Sequence, residues 1–124
     1  MPLPLRILLI INAVATLAAG VVLFLVPAAI PATVGIVLPS EASFVAWLLG
    51  ASELAIVALC VGALLSREPA VWHLTTITLI VLHAASAVAD VLALAQGFTV
   101  AVAVNLAVRL VLVAALAATG LRAA

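Results

Sequence analysis

The sequence predicts an all-α integral membrane protein, a four-helix bundle whose helices run up-down-up-down across the bilayer. Of its 124 residues, 70% are hydrophobic and only 6% are charged. A soluble domain of this length exposes much of its surface to water and needs more polar groups to cover it, so lipid is the expected solvent. Four apolar runs are each long enough for a helix to cross the hydrocarbon core. The length allows one domain, residues 1–124.

The breaks between the apolar runs set the predicted bounds of the helices. The four predicted spans are residues 5–26, 42–65, 71–95 and 98–120. Ser40 is the predicted N-cap of the second span, and Pro69 is placed to begin the third. Gln96 and Gly97 form the short break before the fourth span. The connection over residues 27–40 is apolar, and we expect it to lie in the membrane interface or to fold back on the bundle.

The distribution of arginine predicts the orientation in the membrane. Arg6, Arg67 and Arg122 all fall on the side that holds both ends of the chain, and the two loops on the other side carry no Lys or Arg. Positive charge stays cytoplasmic, so both ends are predicted to be inside the cell. Heavy use of Ala, Val and Leu without Lys suggests a bacterial protein, hence the inner membrane. The zero net charge gives no reason to expect a nucleic-acid partner.

Several polar side chains fall deep inside the predicted spans, where they are energetically costly and usually face the bundle interior. They are Asn12, Glu53, His83, Ser86, Asp90, Asn105 and Arg109. Helical spacing aligns them, since His83 and Asp90 are seven residues apart and Asn105 and Arg109 are four apart. At about 1.5 Å per residue, Glu53, His83 and Arg109 all lie roughly 20 Å from the cytoplasmic ends of their helices. We therefore expect one intramembrane polar site built from several helices.

The charge of Arg109 needs a partner at that depth. An unpaired charge at the centre of the bilayer costs about 3 kcal/mol or more, and arginine does not readily lose its proton. Glu53 is the partner that we expect, and Asp90 is the alternative. The same cluster could also serve only to hold the helices in register, because interhelical polar contacts in membranes contribute about 0.6 kcal/mol on average.

Five features resemble a broad group of small four-span bacterial membrane proteins that are loosely DoxX-like. They are Arg6 before the first span, the Leu-Val-Pro exit at 25–27, the Leu-Gly-Ala-Ser-Glu stretch at 49–53, the His-Ala-Ala-Ser-Ala-Val-Ala-Asp stretch at 83–90, and Gly97. The resemblance covers most of the chain and implies the fold, but most of that group lacks an assigned activity. Small multidrug transporters are similar in length and span count, but their essential Glu lies in the first helix, where this chain has Asn12.

Three functions follow as hypotheses. The first is a self-associating or accessory subunit of a larger membrane complex, with the lipid bilayer as its surroundings. The second is a small proton-coupled transporter that uses Glu53 and takes a small apolar or cationic ligand. The third is an intramembrane enzyme with Glu53, Asp90 and His83 as acid and base groups. No nucleophile, phosphate loop, haem pair or metal-ligand motif is evident, so the sequence predicts no cofactor and no metal, and leaves any catalytic residue unknown.

A filled bundle centre with an exposed face of small residues would favour the accessory subunit. A cavity open to one aqueous face would favour the transporter, and a polar cavity open to lipid would favour the enzyme.

Overall fold

The computed structural model describes residues 1–122, and the fold over this part of the chain is all-helical. The last two residues of the predicted domain, Ala123 and Ala124, lie outside the described residues. Four of the helices are long and apolar enough, by length and composition, to cross a membrane.

The long helices fall within two residues of the predicted spans. They are α1 (Leu3–Leu25), α3 (Ser43–Leu65), α4 (Pro69–Ala95) and α5 (Val100–Gly120), and a short helix α2 (Ala29–Thr33) lies between the first two. Pro69 begins α4 as predicted, because a proline at the first helical position lacks only an amide that would have no intrahelical partner.

The predicted N-cap at Ser40 is wrong. Ser40 begins a single 3₁₀ turn, Ser40–Ala42, that follows the extended backbone of Pro39. This extra turn moves the N-cap position of α3 to Ala42, whose side chain has no oxygen to accept a backbone hydrogen bond. The start of α3 is therefore fixed by the preceding turn and by packing, not by a side-chain cap.

The connection between α1 and α3 folds back on the helices that it joins. α2 packs against α1. Ile30 and Val34 line an apolar hollow with Leu23 and Leu49, which lie near the adjoining ends of α1 and α3. Gly35, at a φ of 81°, lies near the Thr99 side chain before α5. We call this end of the bundle the loop end. It is formed by residues 26–42, between α1 and α3, and residues 96–99, between α4 and α5.

The long helices associate as two tight pairs, α1 with α3 and α4 with α5. Gly20 and Gly50 form the crossing of the first pair, because a Cβ on Gly50 would lie 3.2 Å from the carbonyl oxygen of Gly20. Gly120 allows a similar close approach in the other half, where a Cβ would contact the side chain of Thr76. Small residues at such crossings let helix backbones approach closely in a membrane.

The apolar core lies at the end opposite the loop end. It consists of Leu5, Leu9, Cys60, Ala63, Leu79 and Leu116, none of which is exposed at all. These residues bring the start of α1 beside the last turns of α3 and α5, so neighbouring helices run in opposite directions. We call this the closed end, because side chains from all four long helices fill it. The outer surface is apolar, with Leu65, Val100 and Val111 each more than two-thirds exposed, as expected for a surface in contact with lipid.

The crossing of α1 and α3 predicts a stability difference between two glycines of α3. Gly50→Leu should lower the free energy of unfolding by about 1–3 kcal/mol, because the new side chain meets the Gly20 backbone and Leu23 Cβ at the crossing. Gly62→Leu is the matched control, since a Cβ there would have no atom within 4 Å. Thermal unfolding of detergent-solubilised protein measures both, and equal losses would contradict the crossing.

Candidate functional site

A cavity of about 490 Å³ lies between the two helix pairs, and all four long helices line it. All of the residues predicted to form the intramembrane polar site lie on its wall: Asn12, Glu53, His83, Ser86, Asp90, Asn105 and Arg109. The volume is in the range of small-molecule sites, which are about 300–1,000 Å³. The residues that helical spacing and predicted depth assign to one polar site therefore line one cavity in the structure.

Arg109 makes its ion pair with Asp90. The guanidinium Nε donates to Asp90 Oδ2 at 3.1 Å, and the two side chains are 27% and 15% exposed. Asn105, one turn before Arg109, donates from Nδ2 to both carboxylate oxygens at 3.2 and 3.1 Å. Asp90 thus accepts hydrogen bonds from two residues of α5, and this is the only salt bridge among residues 1–122.

The expected pairing of Arg109 with Glu53 is wrong. Asp90 and Arg109 belong to α4 and α5, which pack tightly side by side and are joined by a short turn. Glu53 lies on α3, in the other helix pair and across the cavity from α5. The predicted depth in the membrane favoured Glu53 as the partner, whereas the tight packing of α4 against α5 makes Asp90 the partner.

His83 and Asn12 make a direct bond between the two helix pairs. His83 Nε2 lies 2.8 Å from Asn12 Oδ1, and both side chains are buried. Asn12 Nδ2 donates to the carbonyl oxygen of Leu8 at 2.9 Å, which turns Oδ1 towards the imidazole. Oδ1 can only accept, so His83 Nε2 is the donor. Over residues 1–122 this is the one hydrogen bond between side chains of different helix pairs, and Nδ1 of His83 is buried without a partner.

Glu53 faces the same cavity without a partner. Its side chain is partly buried and makes no hydrogen bond or ion pair within residues 1–122. Since the lining holds two carboxyl groups and one guanidinium, it carries a net negative charge when Glu53 is ionised and His83 is neutral. A lone carboxylate at this depth favours a proton or a cation. Glu53 is therefore the charged side chain on the lining of this cavity that has no partner within residues 1–122.

The cavity continues towards the loop end and not towards the closed end. A second hollow of about 440 Å³ shares Glu53, Asn105 and Arg109 with the first and reaches Ile30 and Thr33 of α2. At the opposite end the six core residues fill the space between the helices. The polar site is therefore closed by the apolar core at one end of the bundle and continues into the second hollow towards the loop end.

The contribution of α2 to this hollow was not evident from the sequence. Ile30, Thr33 and Val34 line the second hollow, but their stretch of sequence shows only an apolar connection broken by prolines. Thr16 also lies on the cavity wall, and its hydroxyl is occupied by the carbonyl oxygen of Asn12 at 2.8 Å.

Within residues 1–122 no three His, Cys, Asp or Glu side chains come close enough together to hold a metal ion. No protein-family model, curated protein or solved structure matches the chain. The resemblance to DoxX-like proteins therefore stays a prediction, and the geometry of the site is the basis for a functional assignment.

The ion pair predicts different roles for the two acids of the cavity. Asp90→Asn and Arg109→Gln should each lower the free energy of unfolding by about 2 kcal/mol, because each strands a charge. This is less than for a fully buried pair, since both side chains are partly exposed. Glu53→Gln is the matched control, with the same loss of charge at the same cavity and an expected change within about 0.5 kcal/mol.

Thermal unfolding in one detergent measures all three variants, and the double variant of Asp90 and Arg109 completes the cycle. A loss for Glu53→Gln as large as that for Asp90→Asn would show that Glu53 balances Arg109 as much as Asp90 does, and would contradict an unpaired Glu53.

Proposed function

We propose that this protein is a multi-pass protein of the bacterial inner membrane with both ends of the chain in the cytoplasm. The four long apolar helices and their exposed apolar surface support membrane embedding. Arg6 and Arg67 lie at the closed end, and the segments that form the loop end, residues 26–42 and 96–99, contain no Lys or Arg. By the positive-inside rule the closed end is cytoplasmic and the loop end faces outward.

Within that setting we propose that the protein binds a small organic cation with an apolar body and exchanges it for a proton. The observation that carries this proposal is the unpaired carboxylate of Glu53 on the wall of an intramembrane cavity with net negative charge. Asp90 already neutralises Arg109, so Glu53 remains to bind either a proton or a cation. The apolar walls, including Leu49, Leu82 and Leu112, suit the body of such a ligand.

The closure of the site by the apolar core at one end of the bundle favours a carrier. Alternating access needs a central site that is open to one face while the other face is closed, and two units that rock against each other. The tight pairs α1–α3 and α4–α5 are such units, because contacts within each pair are much more extensive than contacts between them. The hydrogen bond between Asn12 and His83 lies at their junction.

The other two hypotheses receive less support from the geometry. An accessory subunit was expected to have a filled centre and an exposed face of small residues. The centre here holds a cavity, which counts against it, whereas Ala51, Ala55, Ala58 and Gly62 of α3 do form an exposed face of small residues. An enzyme was expected to have a polar cavity open to lipid. The cavity here continues through the second hollow to α2 at the loop end, which gives an enzyme no specific support.

A pair of isosteric probes tests the proposal. Benzyltrimethylammonium should bind to the purified protein more tightly than its neutral carbon isostere, neopentylbenzene, because only the cation can pair with Glu53. Glu53→Gln should weaken binding of the cation at least about tenfold, since a charged contact contributes about 1.5–3 kcal/mol. Isothermal titration calorimetry in two buffers of different protonation enthalpy would also detect the proton released on binding.

Glu41→Gln is the matched control, because Glu41 is an exposed acid at the loop end, outside the cavity. Glu41→Gln should bind the cation with the same affinity as the wild-type protein. Equal binding of both probes, or unchanged binding by folded Glu53→Gln, would refute the proposed role of Glu53. A proton gradient should drive uptake of the cation into liposomes that contain the unchanged protein, and binding without such uptake would refute the carrier.

A further inference from the structure

A separate concavity of about 270 Å³ lies at the closed end, where α1 begins, α3 ends and α4 begins. Its lining consists of Met1, Arg6, Leu64, Ser66, Arg67 and Trp72. The apolar core lies between this concavity and the central cavity, since Leu64 and Trp72 pack against the core from the outside. The two are therefore different sites with different chemistry.

Positively charged side chains line the concavity. It holds two of the four arginines of the chain, Arg6 and Arg67, and neither makes an ion pair within residues 1–122. Glu68 follows Arg67 in sequence but is not part of the lining. The N-terminus of α1 also lies here without an acidic residue at its N-cap or in its first turn, so its helix dipole adds positive potential, whereas the N-cap residue of α4 is Glu68. An anion is the ligand that this charge distribution favours.

Hydrogen bonds fix the shape of one wall. The indole Nε1 of Trp72 donates to the carbonyl oxygen of Ser66 at 3.0 Å, which holds the loop between α3 and α4 against the start of α4. The backbone amide of Glu68 donates to Ser66 Oγ at 3.1 Å. Since Oγ accepts this bond, the hydroxyl proton of Ser66 remains to donate to a ligand in the concavity.

The position of the concavity indicates the source of the anion. It lies where the long helices end, which is the depth of the lipid headgroups in a membrane. Trp72 is a residue typical of that interface, and Leu64 gives the concavity an apolar wall. Basic concavities between helices on the cytoplasmic side suit anionic headgroups. We propose that Arg6, Arg67 and Ser66 bind the phosphate of an anionic lipid headgroup at the closed end.

Short-chain lipids test this site on the full-length protein in a neutral detergent. Dihexanoyl phosphatidylglycerol should raise the thermal unfolding temperature, and the zwitterionic dihexanoyl phosphatidylcholine should do so much less. Arg6→Gln and Arg67→Gln should each weaken the apparent affinity for phosphatidylglycerol about fivefold, as expected for one basic residue near an anionic headgroup. Arg6→Lys and Arg67→Lys keep the charge and should retain most of the effect.

Arg122→Gln is the matched control, because Arg122 follows the end of α5 but does not line the concavity. It should leave the affinity for phosphatidylglycerol unchanged. An equal loss with Arg122→Gln would show a diffuse charge effect and overturn the site, as would full retention by both glutamine variants. Inorganic phosphate should stabilise the protein less than phosphatidylglycerol at equal concentration, and equal stabilisation would overturn the lipid as the source.

Discussion

The fixed charge of Arg109 is the constraint on which the site depends. Arginine does not lose its proton in proteins, so a guanidinium among apolar helices needs a nearby anion. Asp90 meets that need from the neighbouring helix, and Asn105 occupies both of its carboxylate oxygens. This arrangement joins α4 to α5, and the Asp90 carboxylate balances the charge of Arg109 without a contribution from Glu53. The second acid of the cavity is therefore available for a proton or a ligand.

The cavity itself follows from uneven packing along the bundle. Leucine, alanine and cysteine side chains from all four long helices fill the closed end. Further along, each helix packs closely only with its own partner, and the pairs are bridged by the polar contact between Asn12 and His83. An arrangement that is rigid within pairs and less extensively packed between them is suited to a conformational change around a central site.

The sequence predicted the helices well because the length of an apolar run and the prolines between runs act along the chain. It also predicted which side chains line one cavity, because helical spacing follows from residue number. It did not predict that Arg109 pairs with Asp90 and not with Glu53. The short break at Gln96 and Gly97 already makes the third and fourth spans neighbours, but counting residues along each helix places Glu53, and not Asp90, at the depth of Arg109. The long arginine side chain reaches Asp90 in spite of that offset. The lining contributed by α2 was missed because Thr33 lies near the site only through the fold.

Accessibility of the cavity from one face tests the account most directly. A cysteine at Ser86, on the wall of the cavity, can be compared with a cysteine at Leu9 in the core, both in a Cys60→Ala background. A charged, membrane-impermeant methanethiosulfonate should modify Ser86→Cys when it is added to right-side-out membrane vesicles and not when it is added to inside-out vesicles, and it should spare Leu9→Cys from both sides. Protection of Ser86→Cys from both faces, or modification only from the cytoplasmic face, would contradict an outward-open cavity at the centre of this bundle.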